Sequence, residues 1–101
     1  MKTYDFEGRT ISLQATTYEN NDTLALMAFY DEDGDDYDIL SVNLDNRMMQ
    51  NDSCCFIDTN NIPWATRFLE KFKLAEPTGI TQRSGFCTYP LYKVNREKLA
   101  G

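Results

Sequence analysis

The chain of 101 residues contains no histidine, only three cysteines and no long apolar run. Histidine is the commonest general base near neutral pH and the commonest metal ligand, so its absence removes the usual chemistry of nucleophilic catalysis and of zinc sites. Cys54 and Cys55 are adjacent and Cys87 is distant, which is not a disulfide framework. We therefore expect buried free thiols, no metal, no cofactor and a protein that is not an enzyme.

Membrane and export signals are also lacking. No stretch approaches the roughly 20 apolar residues that cross a bilayer, and the N-terminal MKTYDFEG has no apolar signal core. These absences predict a cytoplasmic protein that does not associate with membranes. The length is that of one domain, and we expect residues 1–101 to form a single domain.

Acidic residues are abundant, but they are concentrated in one place. Six of the eight residues 31–38 (DEDGDDYD) are acidic, which equals the formal net charge of −6. Residues 1–62 hold 13 acids and three bases, whereas residues 63–101 hold three acids and seven bases. The acidic half would be repelled by phosphate, and the bases are spread out, so the composition disfavours direct nucleic-acid binding.

Alternation of apolar and polar residues predicts hairpins in the first half of the chain. Tyr4 and Phe6 precede a turn at residues 7–9, and alternation resumes over residues 10–17. The apolar residues 23–30 predict a strand buried on both faces. Because alternation returns over residues 39–44, the acidic run is predicted to lie at the tip and flank of a second hairpin.

One helix, roughly residues 62–75, is predicted in the second half by apolar residues at helical spacing. Asp58–Asn61 supply turn and N-cap residues before it, and Glu76–Gly79 are expected to end it. Residues 54–57 and 86–94 are predicted strands with a loop at 80–85 between helix and strand. Pro90 lacks a backbone donor, so it is expected at an edge or a bulge.

These patterns predict an α+β fold. We expect an antiparallel sheet of about five to six strands, with one main helix (about 62–75) packed on one face.

The acidic run allows several functional interpretations. The leading one is a docking site for a protein partner with a basic surface, because clustered charge steers association. The partner-binding residues would be Asp31, Glu32, Asp33, Asp35, Asp36 and Asp38. A plainer interpretation is a solvated tip that keeps a strand edge from pairing with other chains. Mimicry of nucleic acid is a further alternative, although acids spread along a longer surface would suit it better.

A calcium-responsive module is the alternative from another class. Asp31, Asp33 and Asp35 alternate as at the start of an EF-hand loop. However, Asp36 stands at the sixth position, where glycine is required, and Val42 stands at the twelfth, where glutamate is required. Titration calorimetry with calcium would separate this alternative from partner docking.

Two blocks carry a family resemblance: FIDTNN at residues 56–61 and, beyond the helix, SGFCTYPLY at residues 84–92. Together they resemble a family of small uncharacterised proteins encoded on conjugative transposons and other mobile elements of Gram-positive bacteria. The resemblance implies a cytoplasmic accessory protein and no catalytic residue. Physically, the blocks are expected to be structural, with Asp58–Asn61 shaping a turn and Gly85 taking a positive φ before the last strand.

Overall fold

The computed structural model describes residues 3–18, 23–30, 36–44 and 53–100. Two four-stranded sheets form most of it, and every strand pair is antiparallel. The first sheet contains, in spatial order, β1 (Thr3–Phe6), β2 (Arg9–Thr17), β3 (Leu24–Phe29) and β4 (Tyr37–Ile39). The second contains β5 (Ser41–Val42), β6 (Cys54–Ile57), β8 (Cys87–Val94) and β7 (Ala75–Ser84), in that spatial order. The helices are α1 (Ala65–Lys71) and α2 (Arg96–Ala100).

The predicted antiparallel pairing and the first hairpin are confirmed, and the second hairpin is present with its return strand at Tyr37–Ile39 instead of residues 39–44. Two parts of the predicted fold class are wrong. The described residues contain eight strands in two sheets, where about five to six strands were expected. The helix expected at 62–75 covers only Ala65–Lys71, and α2 is a second short helix. The fold is therefore rich in sheet with two small helices, and it is not built on one main helix.

The helix is short because both of its ends are set by local hydrogen bonds. Before it, the carboxylate of Asp58 accepts bonds from the backbone and side-chain nitrogens of Asn61, at 3.2 and 2.9 Å. This shapes the expected turn but leaves the N-cap position to Trp64, which makes no side-chain cap. After it, the Leu74 amide donates to the Leu69 carbonyl at 2.8 Å and the Lys73 amide to Glu70 at 3.2 Å. This pair of bonds is a Schellman motif.

Strand β7 begins three residues after α1 and continues to Ser84, so the loop predicted at residues 80–85 is wrong except at Gly85. The register between β7 and β8 shifts between Pro77 and Thr81, and this irregularity accommodates the Pro-Thr-Gly sequence that was expected to end the helix. Pro90 pairs with Thr81 beside the irregularity, as the bulge prediction required. Gly85, with φ of 63°, and the fully exposed Phe86 form a two-residue turn between Ser84 and Cys87.

The main core lies between α1 and the strands of both sheets. Phe68 of α1 is fully buried and contacts the rings of Tyr4 and Phe6, with centroids 5.9 and 5.4 Å apart. Cys55 belongs to this core, while Cys54 packs on a smaller cluster with Phe56, so the adjacent cysteines lie on opposite faces of β6. Within the described part of the chain, no helix approaches the length and apolar character needed to cross a membrane.

The two sheets are joined by one continuous segment, β4 to β5, that changes sheets at Leu40. The Leu40 amide donates to the Leu26 carbonyl in β3 at 2.8 Å, but the Leu40 carbonyl accepts from the Asp58 amide beyond β6, also at 2.8 Å. The Leu26 amide consequently loses its ladder partner and donates to the Ser41 hydroxyl at 3.1 Å. Ser41 Oγ also lies 2.8 Å from the Tyr18 hydroxyl. A serine side chain thus replaces a backbone carbonyl where the sheets divide.

Candidate functional site

In the sequence the acidic run follows β3 and extends into β4, and these two strands pair as a hairpin. Phe29 pairs with Tyr37 in this hairpin, and the Tyr30 amide donates to the Asp36 carbonyl at 2.9 Å. The hairpin predicted around the acids is therefore present. Of the six predicted partner-binding residues, Asp36 and Asp38 are described and exposed. The other four, Asp31, Glu32, Asp33 and Asp35, lie outside the described residues.

Two side chains from the first sheet hold the described carboxylates. The Arg9 guanidinium lies 3.4 Å from Asp36 Oδ2, and its central carbon is 3.8 Å from the centroid of the Tyr30 ring. The Tyr30 hydroxyl donates to Asp38 Oδ2 at 2.6 Å. Burial, and then this bond to Asp38, raise the pKa of Tyr30 above its ordinary range. The phenol therefore keeps its proton and remains a donor.

These contacts position the carboxylates more than they stabilise the fold. The Arg9 and Asp36 side chains are 57% and 62% exposed, and pairs of this kind contribute about 0–1 kcal/mol. The stacked Arg9 adds roughly 0.5–1 kcal/mol through its cation–π contact. Together they tie β2, the end of β3 and the start of β4 into one small network. Asp36 and Asp38, the described acids of the run, are consequently held by side chains of the first sheet.

Sequence reasoning did not find Arg9 or Tyr30 as parts of this site. Arg9 lies 27 residues before Asp36, and its proximity depends on the order β2–β3–β4 across the sheet. A weak signal was available, because Arg9 is one of only three bases in residues 1–62 and Tyr30 directly precedes the run.

A second feature is a cleft of about 650 Å³ between the end of α1, the β7–β8 pair and the start of α2. Acidic and basic side chains line it together: Glu70, Lys73, Glu76, Lys93, Arg96 and Glu97. The Tyr92 hydroxyl donates to Glu70 Oε2 at 2.9 Å, and burial followed by this bond raises the Tyr92 pKa to about 12. Lys73 has a φ of 56°, a conformation that costs a non-glycine residue roughly 1–2 kcal/mol.

The chemical options of these two features are limited. Over residues 3–18, 23–30, 36–44 and 53–100, no three acidic or cysteine side chains are grouped so that they could hold a metal ion. The alternation of Asp31, Asp33 and Asp35, on which the calcium alternative depends, lies outside those residues. Burial raises the pKa of Cys55 to about 12, so this thiol is not a ready nucleophile at neutral pH.

A model of a protein family, described as a domain of unknown function (DUF4313), matches residues 12–101. The chain belongs to the DUF4313 family. The part of the chain that matches DUF4313 begins in β2. It contains the acidic run, both helices and the two sequence blocks at residues 56–61 and 84–92. The resemblance to a family of uncharacterised proteins is thereby confirmed at that level. No curated protein and no solved structure matches the chain.

Proposed function

We propose that this DUF4313 protein is a binding module without catalytic activity. It docks on a macromolecular partner with a basic surface, and the acidic run at residues 31–38 is the recognition element. The observation that carries the proposal is the anchoring of Asp36 and Asp38 by Arg9 and Tyr30 at the end of a sheet. Acidic residues that only kept the protein soluble would not need contacts that hold their carboxylates in place.

Charge distribution supports the same function. The acids of residues 31–38 equal the whole net charge of −6, and the remaining acids and bases balance. The excess negative charge of the chain is therefore equal to that of this one segment of the sequence. Clustered charge of this kind attracts a basic partner and orients it before contact, which raises the association rate and the salt dependence of binding.

The cellular context is part of the proposal. The blocks at residues 56–61 and 84–92 resemble proteins of conjugative transposons and other mobile elements. An accessory protein of such an element, working in the cytoplasm, would meet basic host or element proteins that handle nucleic acid. The lack of histidine and the high pKa of the buried Cys55 thiol support a function in binding over one in catalysis.

Partner capture with charge-matched variants tests the proposal. The immobilised protein would be incubated with a lysate of its host at low and at high salt, and the retained proteins identified by mass spectrometry. The test variant carries Asp33→Asn and Asp35→Asn. The control carries Glu76→Gln and Glu97→Gln, which remove the same charge from exposed positions near the cleft.

We expect the wild type and the control to retain the same basic proteins at low salt. The test variant should retain them several-fold less, and a variant with all six acids replaced by Asn or Gln should not retain them. Equal capture by the wild type and the six-acid variant would contradict the proposed function.

A further inference from the structure

The outer edge of β4 presents backbone groups that β3 does not use. The Tyr30 amide donates to the Asp36 carbonyl, and the Leu40 amide donates to the Leu26 carbonyl, at 2.9 and 2.8 Å. Residues of an antiparallel strand turn their backbone groups alternately to one neighbour and to the other. Tyr37 and Ile39 therefore direct their N–H and C=O groups away from β3.

That side of β4 is the end of the first sheet, and no strand in the described part of the chain pairs with it. All three residues of β4 are exposed. Tyr37 and Ile39 are exposed by 48% and 43%, which is high for large apolar side chains. An edge with unpaired backbone groups and apolar side chains is a template for another strand.

The two faces of β4 differ in chemistry. Tyr37 and Ile39 lie on one face beside their cross-strand neighbours Phe29 and Met27, with the Phe29 and Tyr37 rings 5.7 Å apart. Asp36 and Asp38 lie on the opposite face of the strand, since successive side chains alternate. A strand added to this edge would meet an apolar row on one face and carboxylates on the other.

Charge decides which kind of strand fits. The edge directly follows residues 31–35, which contain four acids, and it carries Asp36 and Asp38 itself. A second copy of the chain would bring its own six acids to the same place and be repelled. A segment with Lys or Arg on alternate residues would neutralise them.

We propose that the β4 edge binds the partner by strand addition, and that the partner contributes a short extended segment in which basic and apolar residues alternate. This inference rests on the proposed function and specifies how the basic partner is held. The apolar residues of the segment pack beside Tyr37 and Ile39, and its basic residues face Asp36 and Asp38. The pairing is short, because at Leu40 the chain turns to the second sheet.

Peptides of defined sequence test the inference. The probe is the octapeptide KVKVKVKV, and the comparison peptides are KKKKVVVV, EVEVEVEV and a KVKVKVKV peptide with N-methylated valines. N-methylation removes backbone donors without changing charge or side chains. Binding would be measured by fluorescence anisotropy at low salt. Amide hydrogen exchange at Tyr37 and Ile39 would be followed by NMR.

A substitution in β4 tests the same backbone hydrogen bonds between the protein and the peptide. Ile39→Pro removes an outward N–H, whereas the bonds that Asp36 and Leu40 make to β3 remain. Ile39→Thr is the matched control, because it keeps the N–H and the β-branched shape. If Ile39→Pro does not fold, the N-methylated peptide measures the same backbone bonds on the wild-type protein.

We expect KVKVKVKV to bind and to slow amide exchange at Tyr37 and Ile39. Affinity should fall about tenfold or more for the N-methylated peptide and for Ile39→Pro, but little for Ile39→Thr, and EVEVEVEV should not bind. Unchanged affinity on N-methylation, or equal binding of KKKKVVVV, would overturn strand addition while leaving docking by charge intact. Equal binding of KVKVKVKV by the variant with all six acids of residues 31–38 replaced would overturn both. Self-association that Ile39→Pro abolishes would overturn the inference by making a second copy the occupant.

Discussion

Replacing Ser41 by alanine tests the hydrogen bonds at the point where the two sheets divide. Ser41 is 4% exposed, and its hydroxyl accepts from the Leu26 amide and contacts the Tyr18 hydroxyl. Leu26 is fully buried, so its amide would have no access to water in the variant. Leaving a buried donor unsatisfied costs about 1–3 kcal/mol, and we assign about 0.5 kcal/mol more to the half-buried Tyr18 hydroxyl, which can turn to water.

We therefore expect Ser41→Ala to lower the free energy of unfolding by about 1.5–3.5 kcal/mol. The melting temperature of a domain of this size should fall by roughly 10 °C or more. Urea unfolding followed by circular dichroism measures the first quantity. Ser12→Ala is the matched control, because Ser12 is a half-buried serine in β2, and it should cost less than about 0.5 kcal/mol.

A double-mutant cycle with Tyr18→Phe isolates the contact between the two hydroxyl groups. The coupling energy should be about 0.5–1.5 kcal/mol, and Tyr18→Phe should cost almost nothing once Ser41 is alanine. A loss below about 0.5 kcal/mol for Ser41→Ala would refute the view that its hydroxyl replaces the Leu40 carbonyl.

Two further predictions concern the end of α1 and the alkaline limit of stability. Lys73→Gly should stabilise the protein by about 1 kcal/mol in urea unfolding, because glycine adopts a φ of 56° without strain, whereas Lys71→Gly inside the helix should destabilise it by a similar amount. Burial raises the pKa of Cys55 from 9.0 to about 12, and burial with the bond to Glu70 raises that of Tyr92 to about 12. Both groups hold their protons more tightly in the folded chain, so their contribution is complete below the ordinary pKa values and is lost as the pH rises toward 12. The urea midpoint should thus fall above about pH 9, and more gently in Cys55→Ala; an equal fall in that variant would contradict the assignment to this thiol.

The parts of the fold that depend on short-range patterns could be predicted from the sequence. Alternation around the turn at Glu7 and Gly8 predicts the first hairpin, and the structure has it, with both turn residues at positive φ. The apolar run at 23–30 predicts strand β3, whose residues Leu24, Leu26 and Ala28 are buried in the main core with residues of both sheets and of α1. The opposite-facing Cys54 and Cys55 follow from the two-residue period of a strand.

The prediction fails where hydrogen bonds and strand pairings that the residue spacing does not reveal decide the structure. Ile62 and Phe72 have helical spacing with the residues of α1, but Ile62 belongs to a turn on Asp58 and Phe72 is already the C-cap. Residues 80–85 read as a loop because they are mostly polar, yet residues 80–84 belong to an exposed edge strand whose partner is β8. The contacts of Arg9 with Tyr30 and Asp36 could not be predicted from spacing, since they depend on strand order.

The change of sheets at Leu40 has a thermodynamic consequence. One segment provides an edge strand of each sheet, and the Ser41 hydroxyl accepts the hydrogen bond of the Leu26 amide at the point where the sheets divide. Neither sheet can therefore open at this boundary without breaking bonds that the other sheet needs. We therefore expect the two sheets to unfold together, so that a ligand which stabilises β4 would also slow the opening of β5 in the second sheet.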